Sequence, residues 1–377
     1  MKNTLDNAKV VYEINENLIL AYWRIRTAKR VSKRDISIER NHQMMNFGKY
    51  SLMACLALGL AGCSSSDNDP ADNDPAVIEW IASFDLRIAE SVSNSSEIHY
   101  LTDSDLDEYK PVYSPDGSKI AFFRALSYGD GNVINWNSQL FVMNSDGSDV
   151  KQLTSGDYMD FNPMWTRDGS DRITFTRFER NPPNENVKIP SGMKIFRTRP
   201  DSDVGEEELI SDPMFFEMGY SSLKDGRILV RREITQEYLL LTPDGEGSPS
   251  YETLYYPFEN TYLHKMTIAH SERRIAYMKV DDYGGIDGLT KDSYSPALIA
   301  YADFDPINLT FENEVEITEF DPSIVSWYPS WDPDEGYIIW AHNNKINAYF
   351  LEDGTTTQIS SNDDLEYRYP NVKGSVK

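Results

Sequence analysis

Pro111-Val112-Tyr113-Ser114-Pro115-Asp116-Gly117, running on into Lys119-Ile120-Ala121-Phe122, is the stretch from which the fold can be read. Proline presets φ at the turn entrance, and Asp-Gly supplies the corner that needs a positive φ. Large apolar residues on both sides mark two half-buried strands, so the unit is a β-hairpin. It returns as Pro163-Met164-Trp165-Thr166-Arg167-Asp168-Gly169 with Ile173-Thr174-Phe175. It returns again as Pro329-Ser330-Trp331-Asp332-Pro333-Asp334 with Tyr337-Ile338-Ile339-Trp340. Weaker copies start at Tyr220 (with Asp225-Gly226, Ile228 and Val230) and at Lys265 (with His270, Ile275 and Tyr277), and a partial copy is Pro370-Asn371-Val372.

A second hairpin follows the first. Gln139 to Met143 runs into Asn144-Ser145-Asp146-Gly147 and on to Val150 through Thr154; Tyr238 to Leu241 with Asp244-Gly245, and Ile346 to Leu351 with Asp353-Gly354, repeat it. Two hairpins make a four-stranded meander. The anchors at 111, 163, 220, 265, 329 and 370 are spaced 52, 57, 45, 64 and 41 residues apart, the length one four-stranded blade with its loops needs. The expectation is an all-β, six-bladed β-propeller of four-stranded blades. The last anchor has room for one strand, and residues 77–102 can supply the other three, so strands from both termini close the ring and leave no open edge.

Leu140-Phe141-Val142-Met143-Asn144-Ser145-Asp146-Gly147, followed by Gln152-Leu153-Thr154 and Pro163-Met164-Trp165 and preceded by Tyr113-Ser114-Pro115-Asp116-Gly117, resembles the TolB-type propeller repeat. The resemblance covers residues 77–377 and is strongest in the first, second and fifth copies. It implies a cell-envelope module acting in organisation or transport. It extends to the propeller alone, since no stretch here fits the α/β domain that precedes the propeller in TolB.

Tyr50 to Gly62 is a 13-residue run without a charge, flanked by Lys49. A membrane-spanning helix needs about 20 residues, whereas this length suits the core of a secretory signal peptide. Its end, Leu60-Ala61-Gly62-Cys63, resembles the lipobox of bacterial lipoproteins. That implies lipidation at Cys63, with Ser64 favouring the outer membrane. Residues 64–76 repeat Asp-Asn-Asp-Pro-Ala in a polar tether that has no means of forming a core. The expected layout is 1–43 as a mis-called N-terminal extension, 44–62 as a lipoprotein signal peptide, 63–76 as a flexible acidic tether and 77–377 as the propeller. The expected location is the outer membrane facing the periplasm, with the cell surface as the variant of it.

The chain carries a net charge of −25; residues 1–62 hold 10 of its 36 basic and 5 of its 61 acidic residues, which leaves −30 on the rest. Such a surface repels phosphate backbones, so nucleic acid is excluded as a partner. No Gly-x-Ser-x-Gly elbow, phosphate loop or paired-histidine metal spacing appears, and Cys55 and Cys63 both lie outside the expected propeller. Neither catalytic residues, metal ligands nor a cofactor are therefore assigned. Asp103-x-Asp105-x-Asp107 looks calcium-like, but Glu108 stands where such a loop needs glycine.

Propeller topology puts the interblade loops on one face of the disc. Taken as 103–110, 155–162, 212–219, 256–264, 319–328 and 361–369, they carry −12 together and are rich in aromatics, among them Tyr158, Phe161, Phe215 and Tyr369. Insertions at 125–138 and 281–296 reach the same face. The candidate binding face is Asp103, Asp105, Asp107, Tyr128, Trp136, Asp281, Asp282 and Trp327, suited to a basic peptide, a cation or a stacking sugar. The expected function is a monomeric, lipid-anchored module that binds a protein or peptide partner in the envelope and is not an enzyme. The alternatives are a glycan-processing enzyme with channel carboxylates, or a propeller sensing a small ligand or cation.

Overall fold

Each quoted repeat folds as the hairpin its residues dictate. Pro111 lies in β4 (Glu108–Tyr113), which pairs antiparallel with β5 (Lys119–Ser127) across the turn at 114–118. Gly117 takes φ +70° there, its N–H donates to the Ser114 carbonyl (2.8 Å), and Asp116 Oδ1 accepts from the Ser118 N–H (3.1 Å). Asp168 and Asp225 cap the equivalent turns in the same way, each accepting from the backbone two residues on (both 3.0 Å).

The computed structural model describes residues 77–84, 87–93, 95, 97–127, 137–179, 192–232, 235–244, 248–255, 261–281, 297–319, 326–360 and 367–373. Their regular structure is entirely β. One four-stranded sheet runs in the order β24 (Tyr367–Val372), β1 (Glu79–Phe84), β2 (Arg87–Val92), β3 (His99–Tyr100). Three more are sequential meanders. The first is β12 (Glu217–Ser222), β13 (Ile228–Arg232), β14 (Glu237–Thr242) and β15 (Ser250–Thr253). The second is β16 (Thr261–Ile268), β17 (Arg274–Asp281), β18 (Ala297–Asp305) and β19 (Thr310–Glu316). The third is β20 (Ser326–Trp331), β21 (Tyr337–His342), β22 (Lys345–Phe350) and β23 (Thr356–Gln358). A fifth sheet has eight strands. It contains β4 and β5 with β6 (Asn137–Asn144) and β7 (Lys151–Gln152), then β8 (Tyr158–Trp165), β9 (Ile173–Glu179), β10 (Met193–Thr198) and β11 (Glu208–Leu209). A single parallel bridge, Ser138 to Met159, joins its two halves. This is a β-propeller built of four-stranded blades.

The sheets pack face to face, so middle strands such as β5, β6 and β14 are buried on both sides and read as continuous apolar runs, while the outer strands β3, β15 and β23 stay largely exposed. In β1, Trp80 and Ala82 pack on Ile339, Ala341, Ile346 and Ala348 of β21 and β22. Ile81, on the opposite face, packs on Ile120, Phe122, Phe141 and Met143 of β5 and β6. Burying each such side chain contributes roughly 1.5–3 kcal/mol. Gly147 takes φ +86°, and a Cβ there would collide with the Leu101 carbonyl, so that turn admits no other residue without a shift.

Candidate functional site

Six strands, β4, β8, β12, β16, β20 and β24, contribute their residues to one cavity of about 690 Å³. All six break register at the corresponding point: between Tyr109 and Val112, Phe161 and Met164, Gly219 and Ser221, His264 and Thr267, Trp327 and Ser330, and Arg368 and Asn371. Each break is a β-bulge, which re-aims a side chain at the cost of local strain. The bulged residues Lys110, Asn162, Lys265, Tyr328 and Tyr369 take φ between +49° and +56°; in β12 Gly219 stands at the equivalent position but stays paired with Val230, and Tyr220 is the extra residue.

These residues form a belt. Lys110 Nζ donates to Asn162 Oδ1 (2.7 Å), and Asn162 Nδ2 reaches the Gly219 carbonyl (3.5 Å). Lys265 Nζ sits 5.0 Å from the Tyr328 ring centre, and the Tyr328 and Tyr369 rings are 4.2 Å apart. Burial and the nearby Lys265 charge hold Lys110 well below the ordinary lysine range. Burial, Arg231 and Lys265 likewise hold His264 well below the ordinary histidine value.

The cavity opens among the hairpin turns. Asp116, Arg167, Asp171, Lys224, Asp332 and Asp334 line that end. Asp116 is engaged by Ser114 and Ser118, which hold its carboxyl below its usual value, and Asp332 accepts from the Gly336 N–H (2.9 Å). Arg167 reaches across the mouth, donating to the carbonyls of Ser222, Ile268, Ala269 and His270 at 2.9–3.5 Å. Trp165 and Trp331 tie neighbouring strands together, their indole N–H groups donating to the Val112 (3.1 Å) and Thr267 (3.0 Å) carbonyls.

Two residues before the bulge, on the side away from the turns, lies a tier of cross-strand ion pairs. Glu108 faces Arg124 (2.6 Å), Asp160 faces Arg177 (2.7 and 3.0 Å) and Glu217 faces Arg232 (2.8 and 3.0 Å). The three carboxylates are fully buried. Each arginine also lies over aromatic rings: Arg124 on Phe141 (4.5 Å), Arg177 on Tyr158 and Phe196 (4.4 and 4.7 Å), Arg232 on Phe215 (3.7 Å). Burial opposes the Arg177 charge, but the hydrogen bonds to Asp160 and Glu207 outweigh it and raise its pKa. In β17 the equivalent cation, Lys279, turns instead to Glu314 and Glu316 (2.6 and 2.8 Å), because its inner-strand partner is Leu263.

The sequence-derived face is divided by the fold. Asp103 is exposed and lies 3.5 Å from Arg87, and Asp105 is exposed. Asp107, expected on that face, is buried at 3% exposure and accepts from the Tyr109 hydroxyl (3.3 Å). Trp327 is half-buried and stacks on Tyr328 at 6.0 Å. Asp281 ends β17, and its side chain lies outside the described residues, as do Tyr128, Trp136, Asp282 and Cys63. Tyr158, Phe215 and Tyr369 face arginines or the belt rather than forming a free aromatic surface. Among the described residues, no group of three or more His, Cys, Asp or Glu side chains gathers as a metal site would require.

The belt and the ion-pair tier escaped the sequence reading. A signal existed: an acidic residue three positions before the anchor and an arginine 15–17 residues later, in Glu108/Arg124, Asp160/Arg177 and Glu217/Arg232.

No protein-family model matches the chain. Over 54 residues it is 46% identical to the Tol-Pal system protein TolB of Anaeromyxobacter dehalogenans, a match covering 14% of this chain and 11% of that protein. Among solved structures, TolB from Acinetobacter baumannii superposes with a TM-score of 0.54 at 14% identity, covering 79% of this chain and 66% of that one. Hydrazine synthase of Kuenenia stuttgartiensis gives 0.55 at 15% identity, covering 80% and 47%. The chain thus spans less than two thirds of the length of these proteins, and at such identities the structural likeness speaks for the fold. Repeat sequence, strand order and these likenesses agree: the chain folds as a β-propeller, and one stretch of its repeat is similar to TolB.

Proposed function

We propose that the chain is a lipid-anchored, monomeric module of the cell envelope whose propeller binds a protein or peptide partner. In this reading residues 44–62 are the signal peptide, Cys63 carries the lipid, residues 63–76 are the tether, and the propeller faces the periplasm from the outer membrane. Residues 77–377 then form six blades. Counting β4–β7 and β8–β11 as separate blades is supported by the single bridge that joins them. The observation that carries the reading is the 54-residue stretch 46% identical to TolB, set in a propeller with an open central cavity. The arginine pairing of Glu108, Asp160 and Glu217 supports binding over glycan cleavage, because these carboxylates are held in buried ion pairs outside the lining of the cavity.

Crosslinking and pull-down of the tagged, full-length protein from envelopes tests this. A reproducible protein partner is expected, and it should be lost when the exposed Asp103 and Asp105 are both changed to Lys. Cys63→Ala should move the protein out of the membrane fraction. Absence of any partner, or membrane attachment that survives Cys63→Ala, would overturn the corresponding half of the reading.

A further inference from the structure

The hairpin turns at the cavity mouth are not equivalent. Residues 114–118, 166–172, 223–227, 269–273 and 332–336 each join the strand that lines the cavity to the next one. At the same point the first three carry Gly117, Gly169 and Gly226, at φ +70°, +78° and +87°. The last two carry Glu272 and Glu335, at φ +62° and +61°. A residue with a Cβ is strained in that conformation and persists only where its surroundings hold it. Here the neighbouring turn holds it. The Glu272 carboxylate accepts from the Lys224 N–H, and the Glu335 carboxylate accepts from the N–H and the hydroxyl (3.0 Å) of Ser271. Arg167 extends the series, its N–H donating to Ser222 Oγ (3.3 Å) and its guanidinium to the carbonyls of Ile268, Ala269 and His270. Burial lowers the Arg167 pKa, and the Glu272 and Glu335 charges beside it oppose that. Four consecutive turns, from 166–172 to 332–336, are thus bonded one to the next.

The turn at 114–118 stands outside this series. Among the described residues its hydrogen bonds stay within its own sheet: Gly117 N–H to the Ser114 carbonyl (2.8 Å), Ser118 N–H to Asp116 Oδ1 (3.1 Å) and Ser145 N–H to the Ser118 carbonyl (2.9 Å). The link nearest to it, from the Tyr113 N–H to Asn371 Oδ1, leaves β4 before the turn begins. On that side β24 pairs with β1 without a turn between them, so no hairpin is there to be bonded. We propose that Glu272 and Glu335 are latches that make four of the mouth turns one rigid arc, and that the entrance gives way at the fifth turn, 114–118, which is its gate. Ser114, Pro115 and Asp116 line the cavity, so outward movement of this turn widens it. The strain at Glu272 and Glu335 is what the arc costs, and it is offset by carboxylate bonds to backbone N–H groups that a glycine cannot make.

Hydrogen–deuterium exchange at single-amide resolution, on purified full-length protein in detergent, tests this. Local opening sets such rates, so after correction for intrinsic exchange the Gly117 amide should exchange about tenfold faster than that of Gly226. The lengths of the two turn bonds, 2.8 Å for Gly117 and 3.1 Å for Gly226, would give the opposite order. This comparison uses the unaltered protein and so does not depend on a variant folding. Glu272→Ala should speed exchange at Lys224, and Glu335→Ala at Ser271, by about tenfold each, while Glu272→Gln and Glu335→Gln, which keep an accepting oxygen, should stay within about threefold of the parent. Because the arc moves as one unit, Glu335→Ala should also speed exchange at Lys224, one turn beyond the bond it removes, by about threefold. A bond of local effect alone would leave Lys224 unchanged. The proposal is overturned if Gly117 exchanges no faster than Gly226, if the alanine variants exchange like the parent, or if Lys224 does not respond to Glu335→Ala.

Discussion

Arg177 is 5% exposed in its side chain, yet it is fully employed: Asp160 takes two of its N–H groups, Glu207 takes a third at 2.8 Å, and two rings cover its faces. Removing one member of a buried pair strands the other charge, which costs about 3–5 kcal/mol. Arg177→Leu should therefore lower the stability measured by urea denaturation by that amount. The double variant Asp160→Leu/Arg177→Leu should lose less than the sum of the two single losses. His264 makes a pH-dependent prediction. Arg231 Nη1 lies 3.2 Å from both its ring nitrogens, and burial, Arg231 and Lys265 depress its pKa well below 6.5. As pH falls through 6.5 the unfolded chain takes up a proton that the folded chain refuses, so stability declines, by at most about 1.4 kcal/mol per pH unit. Between pH 7.5 and 5.5 the parent should lose more stability in denaturant titrations than His264→Gln, which has no such group to protonate.

The hairpins were legible because their chemistry is local: proline, aspartate and glycine at fixed offsets specify a turn with no help from the rest of the chain. All six anchors, at 111, 163, 220, 265, 329 and 370, fall in the strands that line the cavity. The bulges were not legible, because they break the alternation on which strand reading depends, and because Lys110, Tyr328 and Tyr369 are ordinary strand or loop residues until their φ is seen. The cross-strand ion pairs were hidden for another reason. Charged residues in strands usually face water, so Glu108, Asp160 and Glu217 read as surface until the register places an arginine opposite each. The tryptophans act between elements. Trp165→Phe keeps the ring but leaves the Val112 carbonyl without its indole donor, and should cost about 1–3 kcal/mol; Trp331→Phe should do the same at Thr267. Thermal unfolding of both variants, with far-UV circular dichroism to show an unchanged fold, checks this.

At the scale of the whole molecule, β24 and β1 hold one sheet together although they are almost 300 positions apart, with Trp80 opposite Val372 and Ile81 opposite Asn371. The Asn371 side chain reaches further, accepting from the Tyr113 N–H (2.9 Å) and donating to Ser330 Oγ (3.1 Å), and so links the strands on either side of β24. Deleting residues 367–377 should expose the edge of β1 and replace one cooperative unfolding transition by a broad one with aggregation, followed by light scattering during a thermal ramp. Whole-molecule features were also where the candidate site was least legible. Composition gave an acidic protein, and loop charge pointed to an acidic face, whereas the cavity brings Lys110 and Lys265 together from strands 155 residues apart, a juxtaposition that exists only once the strands have assembled.

Arg167 belongs to the turn after β8 but bonds to carbonyls at 268–270, at the end of β16, passing Ser222 at the end of β12 on the way. It is a tie-rod across three neighbouring strands. The aperture of the channel is therefore not free to breathe blade by blade: widening it on this side breaks several charge-assisted hydrogen bonds at once. Whatever enters on this side passes beside that strut, and the three strand ends it joins move together or not at all.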